Sequence, residues 1–76
     1  MQTQRLTVKN TSAELVQFSL EISGTPIDLK PGSICELVIS GDEEHQIEVE
    51  FSPTGVAFWA YRGDFDAAFL DGEPIY

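Results

Sequence analysis

Two alternating runs, ICELVIS from Ile34 and QIEVEFS from Gln46, are joined by the polar segment Gly41-Asp42-Glu43-Glu44-His45, and the reading of this stretch, Ile34 to Phe51, decides the fold. Alternation of apolar and polar residues marks a half-buried strand, so the stretch predicts a β-hairpin. With Ser40 facing Gln46, Ile39 falls opposite Ile47, Leu37 opposite Val49 and Cys35 opposite Phe51. A single register then makes every pair on that face apolar. The other face sets Val38 against Glu48 and Glu36 against Glu50. Two facing carboxylates destabilise a sheet unless a third group compensates them.

Working outward toward the N-terminus, Gln4 to Lys9 forms a short strand with Leu6 and Val8 on one face, followed by a turn at Asn10-Thr11-Ser12, whose short polar side chains can bond their own backbone. Leu15 to Ile22 alternates through Val16, Phe18, Leu20 and Ile22, a period of two that a helix would scatter around its cylinder. Ser23-Gly24-Thr25-Pro26 breaks this strand, Ile27 to Leu29 makes a short edge strand, and Lys30-Pro31-Gly32-Ser33 turns the chain into the hairpin.

Beyond the hairpin, Ser52-Pro53-Thr54-Gly55 is another turn, leading to Val56 to Arg62. This run is apolar on both faces, with Val56, Phe58 and Ala60 on one and Ala57, Trp59 and Tyr61 on the other. An open question is Phe65 to Leu70, which returns as a strand if Gly63-Asp64 is a two-residue turn, or forms a short helix capped by Asp64 and ended at Asp71-Gly72. A helix of barely two turns gains little alone, so the strand is expected. Six or seven short strands between Gly, Pro, Asn and Ser turns predict an all-β domain: a small antiparallel sandwich, or else a small barrel, or a sheet plus one short C-terminal helix.

The stretch from Leu6 to Phe51, a strand ending in Asn-Thr-Ser, a long alternating strand and a Leu-x-Pro-Gly turn into the next strand, resembles the front half of compact immunoglobulin-like domains. That resemblance implies an immunoglobulin-like sandwich and concerns fold alone. The paired cysteines and the core tryptophan of true immunoglobulin domains are missing.

Seventy-six residues make one domain, residues 1–76, with a single small core. Such a chain buries about 60 to 65 percent of its unfolded surface and has a stability of only ~5 kcal/mol. Thirteen acids against four bases give a formal charge of −9, which favours solubility and suits a basic partner. Direct nucleic-acid binding is not expected, because Arg5, Lys9, Lys30 and Arg62 are scattered and phosphate contacts need clustered bases. The start, MQTQRLTVKN, has no apolar signal region, and no run approaches the ~20 apolar residues of a membrane span, so the expectation is a cytoplasmic protein without membrane contact.

Cys35, the one cysteine, can form no intrachain disulfide and sits on the apolar face as a buried thiol. A catalytic base would have to be His45, which the acidic loop places in solvent beside Glu43 and Glu44, so no catalytic residue is predicted. Asp64, Asp66, Asp71 and Glu73 are oxygen donors without the glycine and spacing of a calcium loop, and neither metal nor cofactor is expected. Arg62-Gly63-Asp64 spells an integrin-read tripeptide, and a structural turn accounts for it better.

What remains is surface chemistry. Glu36, Glu48 and Glu50 with the loop acids Asp42, Glu43 and Glu44 are the predicted contact for a protein with a basic surface, and Trp59 and Tyr61 are predicted interface anchors. In size and charge the chain is similar to the small acidic proteins by which phages and mobile elements block host nucleases or CRISPR complexes. That similarity implies a non-enzymatic inhibitor that engages a nucleic-acid-binding surface. The alternative is a structural or assembly module, a virion component or small subunit, that uses aromatic and β-edge contacts and allows self-association.

Overall fold

The computed structural model describes residues 1–21 and 23–76. Six strands are found among them: β1 Gln2–Lys9, β2 Val16–Glu21, β3 Thr25–Leu29, β4 Ile34–Ser52, β5 Gly55–Leu70 and β6 Glu73–Pro74, with no helix among the described residues. The all-β expectation holds, and Phe65 to Leu70 is strand. Ile22, predicted to extend the second strand, lies outside the described residues.

The expected hairpin within Ile34 to Phe51 does not form. Both alternating runs belong to one continuous strand, β4, which pairs antiparallel along nearly its whole length with β5, the two joined by the tight turn at Pro53-Thr54. Ile39 therefore faces Phe65, Leu37 faces Ala68 and Val49 faces Phe58, in place of one another. The carboxylate clash disappears too, since Glu36 faces Phe69, Glu48 faces Trp59 and Glu50 faces Ala57. Local alternation is equally satisfied by either pairing. The β5 pairing wins because it gives both strands an antiparallel ladder along nearly their whole length and replaces a like-charge pair with aromatic and aliphatic neighbours.

The segment read as the hairpin loop is instead a bulge. Gly41 pairs with Gly63 and Gln46 with Tyr61, so Asp42 to His45 on β4 stand opposite Arg62 alone on β5. Gly63-Asp64, expected as a turn, continues β5 past the bulge. At the Gly41/Gly63 crossing neither residue has room for a side chain: a Cβ on Gly63 would press into the Ser40 carbonyl, and one on Gly41 would meet the Arg62 carbonyl and the His45 ring. Arg62 itself takes a left-handed backbone, φ 58°. Bulges with such a residue add twist and bend the strands that carry them.

That bend divides the sheet into two leaves. The first holds β1, residues 34–41 of β4, residues 63–70 of β5, and β6; the second holds residues 46–52 of β4, residues 55–61 of β5, β2 and β3. Strand order is β1-β4-β5-β2-β3 in one mixed sheet, with β2 parallel to β5. The parallel pair arises because β4 crosses to the first leaf after β3 and β5 then runs back against it. The expected antiparallel immunoglobulin-like sandwich is thus replaced by a single mixed sheet folded over its own core, and the sheet does not close as a barrel. The short axis of 18 Å accommodates two layers roughly 10 Å apart.

Residues from both leaves fill the space between them. Phe18, Leu20, Ile27, Leu29 and Phe58 from the second leaf pack against Cys35, Leu37, Ile39, Phe65 and Ala68 from the first and the bend. Phe18 and Phe58 stack with ring centroids 4.7 Å apart. Asn10 ties the end of β1 to the ends of β2 and β3. Its buried amide donates to the carbonyls of Leu29 and Glu14, its Oδ1 accepts from the backbone and hydroxyl of Ser12, and its main chain bonds Ser33 and Gly32. The predicted Asn10-Thr11-Ser12 turn is therefore present, with an added tertiary role.

Candidate functional site

Alternation along β5 builds the site: it buries Phe58 and turns Ala57, Trp59 and Tyr61 to the outer face of the second leaf. Trp59 pairs with Glu48 on β4 and with Glu21 on β2, so the indole stands between two carboxylates on adjacent strands. Its Nε1 donates to Glu50 Oε1 at 3.2 Å, a third carboxylate two residues from Glu48. Tyr61 follows on the same face beside Gln46. Trp59 and Tyr61 keep 38% and 52% of their surface exposed, far more than core aromatics retain.

A cleft of about 320 Å³ opens here, with Glu21, Glu48, Trp59, Tyr61 and Tyr76 in its walls. Carboxylates and exposed aromatic faces both attract an organic cation, one by charge and the other by its quadrupole. Of the four bases only Arg62 borders the cleft, and its guanidinium is engaged by Asp42 and Glu44 at the bend. The strands of the second leaf contribute acidic, neutral polar and aromatic side chains to the outside: Asp28 bonds Gln17, and Ser19 donates to Glu21.

The structure gathers four of the eight predicted contact residues, Glu48, Glu50, Trp59 and Tyr61, and separates the other four. Glu36 lies on the first leaf, where Arg5 forms an ion pair with it. Asp42 and Glu44 are at the bend, clasped by Arg62 at 2.7 and 3.0 Å. The Arg62 guanidinium bonding Asp42 holds that carboxyl below its usual value, assisted by the backbone N–H of Glu44. Glu43 is exposed beside them. The hairpin register that would have put Glu36 beside Glu50 is absent, so the acids do not make one patch. Glu21 and Tyr76 escape sequence reasoning because a parallel β2–β5 pair and a chain-end contact leave no local signal.

His45 is buried, contrary to the expected solvated imidazole. Its Nδ1 lies 2.6 Å from the Asp42 carbonyl, an acceptor, so Nδ1 carries the proton and Nε2 accepts from the Gln4 amide at 2.7 Å. Both nitrogens are used to hold the bulge against β1. Cys35 is fully buried; burial pushes its thiol pKa up and the Asp71 carboxylate adds to this. Asp71 Oδ1 accepts from the Ile34 backbone. Among the described residues no three His, Cys, Asp or Glu side chains converge as a metal site would require. Nor does any helix among them have the length and apolar character to cross a membrane.

Compared with protein-family models, curated proteins and solved structures, the chain matches none of them.

Proposed function

We propose that the chain is a non-enzymatic protein-binding module whose second-leaf outer face engages a basic surface of another protein in the cytoplasm. One observation supports this above others: Trp59 is held among Glu21, Glu48 and Glu50 on a face whose nearest base, Arg62, is already paired. A lysine or arginine of the partner meets charge and an aromatic plane together, and the −9 charge of the chain steers its approach. If that partner surface ordinarily holds nucleic acid, the carboxylates take the place of phosphates and the module acts as an inhibitor. A nuclease or a CRISPR effector countered by a phage or mobile element is a target of this chemistry.

Capture from host and phage-infected lysates at two salt concentrations tests the reading. The partner is retained at low salt and lost at high salt. Substituting Glu21, Glu48 and Glu50 by Gln weakens it about tenfold or more, and Trp59→Ala about thirtyfold, the effect of removing an anchor worth ~2 kcal/mol. A tight partner indifferent to salt and to all four changes overturns it. The second reading, an assembly module, draws on residues 46–52 of β4, whose outer edge meets no strand among the described residues, and sedimentation that shows a concentration-independent monomer counts against self-assembly.

A further inference from the structure

Residues 46–52 of β4 have β5 on one side and, among the described residues, no strand on the other. β1 accompanies β4 only from Ile34 to Gly41, and past the bulge the partner strand is gone. Antiparallel pairing directs the N–H and C=O of alternate residues to each side, so every second residue of this segment presents unpaired backbone groups outward. The inward side chains beside this edge are also uncovered. Phe51 is 80% exposed and Val49 45%, although both point to the core side of the leaf opposite Val56 and Phe58. They border a wholly apolar groove of about 190 Å³ that Val8, Val16, Phe18, Val56 and Phe58 complete.

We propose that this edge accepts an extended segment of the partner as an additional strand, one that alternates basic and apolar residues. Charge selects the occupant. A second copy pairing antiparallel about Val49 would set Glu48 against Glu50 twice, in a chain already at −9, which opposes self-association through this edge. A strand with Lys or Arg on its outer face meets Glu48 and Glu50 there, within reach of Trp59, while its apolar residues enter the groove beside Val49 and Phe51. Main-chain bonds supply affinity and the alternating side chains supply specificity. The proposal rests on the basic-partner reading above and adds how that partner is held.

The test uses a synthetic nine-residue peptide alternating lysine and valine, a same-composition peptide with the lysines in one block, and two forms N-methylated at alternate residues, one in each register. The alternating peptide binds at least tenfold tighter than the blocked one, one methylated form loses about tenfold and the other binds like the parent, and the amides of alternate residues in 46–52 exchange more slowly when it is bound. Equal binding of both methylated forms with unchanged exchange overturns strand addition; if Glu48→Gln and Glu50→Gln still weaken that binding, the charge-based reading stands. Methylation sensitivity with no response to those variants or to salt keeps strand addition on this edge and overturns the basic-partner reading. Failure of every peptide to bind, or protection of the same amides by protein concentration alone, overturns the inference.

Discussion

Asn10 shows how one side chain can close a fold. Buried, it spends both amide hydrogens and its carbonyl oxygen on three residues from two segments, Ser12 and Glu14 in the following turn and Leu29 at the end of β3. Asn10→Ala leaves the Leu29 and Glu14 carbonyls without this donor and opens a small void, and the expected loss is about 2–3 kcal/mol, read as a lower denaturation midpoint with unchanged slope. The Asn10→Asp variant retains the acceptor but not the donors and rescues little. The turn-forming character of Asn10-Thr11-Ser12 was legible from residue type alone, because an Asx turn is local. Its bond to Leu29 was not, since nothing near residue 10 announces which strand end will arrive beside it. The same limit hid the burial of His45, whose ring is bonded by Gln4, far along the chain, and so carries no local signal.

At the scale of elements, β4 and β5 carry the lesson. Alternation correctly assigned Cys35, Leu37 and Ile39 to the core, and it correctly placed Glu48 and Glu50 outside. It could not choose the partner strand. A polar five-residue segment resembles a loop from within, and becomes a bulge only because Gly63 lets β5 pass Gly41 at close range and Arg62 fills the gap. Gly63→Ala should therefore be severe, costing about 2 kcal/mol or more through overlap with the Ser40 carbonyl, whereas Gly24→Ala, in open space, costs only the strain of its left-handed backbone. Thermal melts of the two variants check this, and equal effects would place the bend elsewhere. The aromatic run on both faces of β5 was informative in the sequence: one face had to be uncovered, and Trp59 and Tyr61 are the uncovered pair.

Over the whole molecule, charge sets the response to solvent. Added sodium chloride at pH 7 should raise the melting temperature, because screening relieves the repulsion among thirteen acids more than it weakens the three exposed ion pairs found among the described residues. Acid acts on one of those pairs with a definite sign. The Asp42 carboxyl is lowered in the folded chain, so its contribution is present above the ordinary value of 3.8 and lost as pH falls through the lower folded value. The stability difference between the native chain and Asp42→Asn should accordingly shrink toward zero on acidification below that point.

Strand class, the inward set of β4 and the surplus of acid were all written locally, in period, residue type and count, and needed no knowledge of distant residues. Strand order, the parallel β2–β5 pair and the division of the acids into a clasped group at the bend and an open group around Trp59 were decided in three dimensions. The reason is that alternation specifies a face but not a neighbour. Which strand supplies the neighbour depends on competition among all pairings for the same backbone groups, and that competition was won by the longest ladder that kept carboxylates apart.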